Sequence, residues 1–251
     1  MPTPSELPES DKITWHRYMD FYEPHLARLG PVEQILEFGV FHGASIRYLR
    51  DRYRDAHIIG CDILSPQAEW PYDENIDYVT LDQGKPADLE RLFTDHADHF
   101  DLAIDDGSHQ PEHQRNCLVA TLPHVRTGGV YILEDLHTSH PAHSMVGRRH
   151  RNVTNCYHLL LAFEHLLSTG TALTSLAVER LTRKSLFSPE QVQDLFRLIS
   201  SVDLYRRATL PLQCYNCGAV DFEYDTLRCT CGVAIAATAD SMSAVLTIKA
   251  A

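Results

Sequence analysis

Residues 35–45 read ILEFGVFHGAS: an apolar run with one acid, two glycines four apart, and a serine as the next periodic segment begins. The run around Ile35, Leu36 and Phe38 is too short for a helix and reads as a buried strand. The following GASIRYLRDRY has helical spacing, so the glycines mark a strand-to-helix turn. The same unit recurs along the chain. AHIIGCDIL and IDYVTLDQG are strands, PADLERLFTDHA is a helix with Pro86 in its first turn, and FDLAIDDGS is a strand. PEHQRNCLVATLPHV is then a helix and GGVYILEDL a strand. Alternation at this spacing builds βαβ units. The expected class is α/β, a doubly wound Rossmann-like sheet of order 3-2-1-4-5 plus C-terminal strands, with SMSAVLTIKA supplying the last.

The flanks set the expected domain limits. KITWHRYMDFYEPHLARLG reads as one helix interrupted near Pro24 and ending at Gly30, after a polar, Pro-rich arm. Residues 1–30 are therefore expected to be an arm and cover helix. Residues 31–210 and 240–251 form the Rossmann-like domain, and 211–235 a small insertion. CYHLLLAFEHLL and SPEQVQDLFRLISS read as helices, the second capped by Ser188 with Pro189 and Gln191 behind it. Between them and the fifth strand, residues 137–152 are rich in His and Arg and read as a long loop over the strand ends.

Composition narrows the chemistry. The 251 residues are 44% hydrophobic and 22% charged, which suits one α/β domain with an appendage. A net charge of -12 argues against nucleic acid as the main partner, since phosphate binding needs a basic footprint. A small hydroxylated substrate or a metal held by carboxylates fits better, and a homo-oligomer is compatible. No signal-peptide pattern opens the chain and no apolar run reaches spanning length, so a cytoplasmic location without membrane contact is expected.

The first turn lacks the third glycine spacing of a dinucleotide fingerprint, because Phe41 stands two after Gly39. A looser turn with Glu37, Gly39, Gly43 and Ser45 suits S-adenosylmethionine, which has no pyrophosphate. Asp62 closes the second strand, where a carboxylate can accept both ribose hydroxyls. Asp82 ends the third and faces either the adenine edge or its own loop as a cap. IDDGSH ends strand 4 and LEDLH ends strand 5, and adjacent strands lie about 4.8 Å apart. Asp106, Glu134 and Asp135 can therefore converge, with Asp105 assigned to the cofactor side. Converging carboxylates repel unless a cation joins them, and oxygen ligands favour Mg²⁺ or Mn²⁺. His109 suits a general base, because an imidazole titrates near neutrality. His113 is a supporting partner or a surface residue, and His137 a pocket residue.

ILEFGVFHGAS, GCDI, LDQG, FDLAIDDGSHQPEH and GGVYILEDLHTS, in this order and spacing, resemble the metal-dependent O-methyltransferases that act on sugars of macrolide and related antibiotics. The resemblance runs over about residues 12 to 140. It implies a class I S-adenosylmethionine fold, Mg²⁺ at Asp106, Glu134 and Asp135, and His109 as base in methylating a hydroxyl of a glycosylated natural product. It also makes Lys12, His16, Tyr18 and Tyr22 pocket or cofactor-cover residues, against simple helix packing.

CYNCGAVDFEYDTLRCTCG departs from that family. Cys214-x-x-Cys217 and Cys229-x-Cys231, each pair followed by glycine, read as a zinc ribbon with a closed structural Zn²⁺ site, against disulfides or free thiols. Two other functions stay open at this point. One is a non-haem iron oxygenase using Asp106, His109 and His113. The other is a non-catalytic module in which the ribbon binds a protein.

Overall fold

Strand β1 (Gln34–Phe38) runs parallel to β2 (His57–Asp62) on one side and β4 (Phe100–Asp105) on the other. With β3 (Ile76–Thr80), β5 (Val125–Leu133), β6 (Ile199–Arg206) and β7 (Met242–Ile248) they form one sheet of order 3-2-1-4-5-7-6. The computed structural model describes residues 10–96, 99–146, 152–236 and 240–249. Residues 1–9, most of the expected arm, lie outside them, as does part of the His- and Arg-rich loop.

The parallel core matches the expected order, and β7 adds to it antiparallel between β5 and β6. Helices α1 (Asp11–Thr14) and α2 (Tyr18–Leu26) precede the sheet. Helices α3 (Ala44–Arg52), α4 (Pro86–Asp95) and α5 (Pro111–Thr121) make the crossovers. Then come α6 (Cys156–Ser168), α7 (Ser175–Thr182) and α8 (Pro189–Leu198). The alternation of a parallel strand sorts the core. Ile35, Ile58, Ile104 and Ile132 pack on one face with Tyr18, Tyr22, Ile46 and Leu49. Leu36, Phe38, Ala103 and Tyr131 pack on the other with Leu89, Leu118 and Phe163.

Two readings of the sequence are corrected. The N-terminal helix breaks at Arg17, which takes a left-handed φ of 57°, whereas Pro24 sits inside α2. The break lets two cores compete for one segment: Trp15 packs against Cys214, Phe222, Cys229 and Ile235, while Tyr18 and Tyr22 pack on the sheet. Pro24 lies on the exposed face. The second correction concerns SPEQVQDLFRLISS. Ser188 caps α8 in a full capping box with Gln191, as its sequence implies, but the helix stops at Leu198 and Ile199 opens β6. Pairing with β7 outweighs helical continuity there.

Register places the chemistry. Phe38 pairs with both Cys61 and Asp105, and Asp105 pairs with Leu133. The next residues, Gly39, Asp62, Asp106 and Glu134, therefore leave four neighbouring strands at one level. The turns are tied there: the Gly39 amide donates to Cys61 O at 2.7 Å, Asp106 to Phe38 O at 2.9 Å, and Glu134 to Asp105 O at 2.9 Å.

Candidate active site

A cleft of about 570 Å³ opens over these strand ends, as expected for the switch point of a doubly wound sheet. Gly39, Asp62 and Asp82 line it. Gly39 has φ of 91°, and a Cβ there would lie 2.0 Å from the Asp106 carbonyl oxygen, so only glycine lets the first and fourth turns touch. Asp62 Oδ2 accepts the Val40 and Phe41 amides at 2.8 and 3.2 Å, and Oδ1 accepts Leu64 N at 3.0 Å, so this acid shapes the loop it faces. Asp82 accepts Gly84 N at 2.9 Å and acts as a loop cap at the cleft edge. That amide and Lys85 hold its carboxyl below the usual range.

Glu37, Gly43 and Ser45 are among the expected cofactor residues but do not line the cleft. Glu37 is fully buried beneath it, Ser45 lies near Lys12 Nζ at 3.4 Å, and Gly43 packs against Pro71. Asp105 is a correction. Strand alternation turns it to the opposite face, where it accepts Gln83 Nε2 at 2.8 Å and the Tyr131 hydroxyl at 3.2 Å. Burial there pushes its carboxyl up to about 7, against these two hydrogen bonds. It does not face the cofactor side of the cleft. In place of these residues the cleft has an apolar wall the sequence reading missed: Phe41, Ile63 and Leu64 are 75%, 66% and 52% exposed. The signal was available, since an apolar pair directly after a strand-end acid is unusual for a solvated loop.

Beside that wall, Asp106, His109 and Asp135 bring their ligating atoms within 4.8 Å of one another. His109 Nε2 lies 3.6 Å from Asp135 Oδ2 and 4.0 Å from Asp106 Oδ1. His109 and Asp135 both hold left-handed backbones, φ 56° and 50°, and Phe41 a third at 51°. Such strain at three cleft residues is the kind that concentrates at functional sites. Asp135 is ringed by cationic or donor groups: the Tyr18 hydroxyl at 2.7 Å, His16 Nε2 at 3.8 Å and His137 Nδ1 at 3.8 Å. Burial works to raise its carboxyl, but His16, His109, His137 and Tyr18 together hold it below the usual range.

Glu134 is placed differently from its expected partners. Its Oε1 accepts Lys12 Nζ at 2.8 Å, and the same ammonium reaches Asp106 Oδ2 at 2.9 Å and Glu37 Oε1 at 3.2 Å. Burial acts to lower the Lys12 pKa, yet Asp106, Glu134 and Glu37 outweigh it and raise it well above the ordinary value. Burial also raises Glu37, Asp106 and Glu134 despite that ammonium. Three carboxylates around one lysine, with Asp135 close by, leave excess negative charge, and a divalent cation is the natural complement. The oxygen donors, Asp106 and Asp135 with Glu134 one residue away, fit Mg²⁺ or Mn²⁺ and leave the His109 imidazole free beside them.

His16 lines the cleft, whereas Tyr18 and Tyr22 are buried behind it; Tyr22 shares a hydrogen bond with Ser243 at 2.6 Å. Helix packing therefore describes Tyr22, while Tyr18 supports Asp135. His137 is buried, and its imidazole falls to about 4 chiefly through burial, against the pull of Asp135. His113 lines the cleft and pairs with Ser108 Oγ at 2.7 Å. It is not in the metal-competent group, so the alternative Asp106–His109–His113 iron triad does not assemble among the described residues.

The four C-terminal cysteines converge. Cys214 and Cys231 Sγ are 3.7 Å apart, Cys217 and Cys229 Sγ 3.4 Å, and all four lie within 4.8 Å of one another. A disulfide needs about 2.05 Å, whereas tetrahedral Zn–S bonds of about 2.3 Å put sulfurs about 3.8 Å apart. Each pair sits on a turn closed by glycine, Gly218 N on Cys214 O at 2.9 Å and Gly232 N on Cys229 O at 2.7 Å. The Asn216 side chain and the Val233 amide lower the Cys231 thiol to about 6.

The chain has relatives among known proteins. Residues 36–136 match a methyltransferase-domain family. Over those 101 of its 251 residues the chain is similar to that methyltransferase domain. A tetracenomycin rhamnosyl 3'-O-methyltransferase of Streptomyces olivaceus is 35% identical over 138 residues, 50% of this chain and 34% of that protein. Demethylmacrocin O-methyltransferase of Streptomyces fradiae is 33% identical over 133 residues, 50% of this chain and 33% of that protein. These matches span about a third of the length of the curated relatives. The fold is that of the MycE methyltransferase of the mycinamycin pathway, solved with Mg and SAH. TM-score is 0.63 at 21% identity, covering 99% of this chain and 55% of that one. Among the described residues no helix is long and apolar enough to cross a membrane.

Proposed function

We propose that this protein transfers a methyl group from S-adenosylmethionine to a sugar hydroxyl of a glycosylated small molecule, assisted by Mg²⁺ or Mn²⁺. The observation that carries the reading is adjacency: the Asp106–His109–Asp135 group borders the same cleft as the Gly39 turn and Asp62. A tetracenomycin rhamnosyl 3'-O-methyltransferase, similar to half of this chain, supports the choice of a sugar hydroxyl.

When bound, the cofactor supplies an electrophilic methyl on a sulfonium and the divalent ion supplies positive charge next to the acceptor hydroxyl. The chain does the rest. Gly39 and the Asp62-held loop would seat the nucleoside, with Phe41, Ile63 and Leu64 against its flat base. Asp106 and Asp135 would hold the ion, and Glu134 would join them if Lys12 yields one of its contacts. His109 Nε2, beside both ligands, would take the proton from the acceptor hydroxyl, leaving that oxygen free to accept the methyl the cofactor supplies. The buried histidine at 137 and His16 would face the acceptor. The four cysteines would hold one structural Zn²⁺ in an insertion of residues 211–235. The oxygenase lacks its iron triad here, and a non-catalytic module leaves the strained acid–histidine group unused.

Calorimetry with S-adenosylhomocysteine, before and after chelation, tests the reading together with metal analysis. Nucleoside binding, about one zinc per chain and Mg²⁺-dependent turnover of rhamnosides are expected. His109→Asn should retain nucleoside binding and lose about 100-fold or more in turnover. No nucleoside binding under any metal condition sinks the methyltransferase; full turnover in His109→Asn removes the base.

A further inference from the structure

A second chamber of about 840 Å³ adjoins the cleft and shares Asp11 and His16 with it. His137, His143, Trp15, Tyr215 and Val233 are among the residues that line it. Trp15 directly follows α1, whereas Tyr215 and Val233 lie in the cysteine segment. Its core is small: Trp15, Cys214, Phe222, Cys229 and Ile235 are its buried members, and two of the five are cysteines. Its backbone pairing consists of the isolated bridges Glu223↔Arg228 and Arg228↔Ala234. A core of that size does not order a segment unaided, so an ion at the thiolates has to fix it.

The segment is also bolted to α1. Leu212 and Gln213 amides donate to Thr14 O at 2.8 and 3.2 Å. The buried Arg207 guanidinium lies 4.7 Å from the Trp15 ring and donates to Ile235 O at 3.1 Å and to Asp240 at 3.0 Å. Tyr215 meets the Trp15 ring edge-on at 4.7 Å, yet is 62% exposed toward the chamber. An aromatic ring held in place but left uncovered is a surface prepared for a flat partner.

We propose that the Zn²⁺-ordered cysteine segment is the acceptor-specificity wall: Tyr215 and Val233 receive the flat, apolar aglycone of a glycoside whose sugar reaches Asp106, His109 and Asp135. This rests on the methyltransferase reading, and its test separates the two. Two glycosides with the same sugar serve as probes, 4-nitrophenyl α-L-rhamnoside and methyl α-L-rhamnoside. Each is titrated by calorimetry into the zinc-loaded protein with S-adenosylhomocysteine and Mg²⁺. The aryl glycoside should bind about fivefold tighter than the methyl glycoside, the worth of one aromatic contact. Tyr215→Ala should bring the two to parity with zinc content and nucleoside affinity unchanged. Cys217→Ser should lose both zinc and the preference. Equal affinity of the wild-type protein for the two probes, no binding of the aryl probe, a preference surviving Tyr215→Ala, or an aryl preference in protein that holds no zinc each overturns the proposal. Loss of nucleoside binding in the wild type instead strikes the methyltransferase reading itself.

Discussion

Gly39→Ala separates backbone strain from collision at the point where cofactor loop and metal turn meet. At Gly39 the new Cβ would stand 2.0 Å from Asp106 O, 2.6 Å from Asp106 C and 3.0 Å from Gly107 Cα. These are backbone atoms, so no rotamer relieves the contact, and the first and fourth turns must part by about 1 Å or more. A left-handed backbone costs a side chain about 1–2 kcal/mol, and forced overpacking adds about 1–3 kcal/mol. The expected loss is thus about 2–5 kcal/mol. Gly170 supplies the control: its φ is 64°, and nothing lies within 4 Å of a Cβ built there. Gly170→Ala should pay the strain alone, about 1–2 kcal/mol. Urea denaturation of both variants reads the difference. Because the displaced backbone carries Asp106, a 1 Å shift should also cost Gly39→Ala about 100-fold in methyl transfer, with Gly170→Ala unaffected. Equal destabilisation of the two variants, or intact turnover in a folded Gly39→Ala protein, would refute the reasoning.

Lys12→Met removes the ammonium shared by Glu37, Asp106 and Glu134 and should destabilise the metal-free protein by about 3–5 kcal/mol, as breaking a buried ion cluster does. Saturating Mg²⁺ should return part of that loss, and denaturation with and without the ion checks it; a loss under about 1 kcal/mol would mean the lysine neutralises little. His124 stacks on Phe93 at 4.2 Å, and burial with nearby His99 lowers its imidazole below 6.5. The unfolded chain then takes the proton first, so this group's contribution is present above pH 6.5 and lost as pH falls toward the folded value. His124→Gln should gain on the wild type as pH drops below 6.5, read as a narrowing gap in denaturation midpoint; a gap independent of pH contradicts the burial argument.

Much of the site could be read along the chain because a parallel strand puts its last residue at a known place. Five apolar runs ending in Gly39, Asp62, Asp82, Asp106 and Glu134 already imply one row of groups at the carboxyl edge, and the paired register bears out the sheet. The cysteine spacing likewise announces convergence, since each pair needs only a local turn. Periodicities of two and 3.6 residues are local, and sequence carries them in full.

Tertiary structure decided what local pattern cannot carry. Asp105 and Asp106 are neighbours with the same chemistry, but the level at which β4 meets β1 and β5 sends one under the sheet and the other into the cleft. Lys12 lies 122 residues from Glu134, and only the break at Arg17 brings α1 down onto that carboxylate. The same break hands Trp15 to the cysteine segment, placing Tyr215 beside the second chamber. β6 forms because β7 offers it a partner, although its sequence continues a helix. Each of these outcomes turns on contacts between distant segments, whose free energy depends on the partner's position and is absent from either segment taken alone.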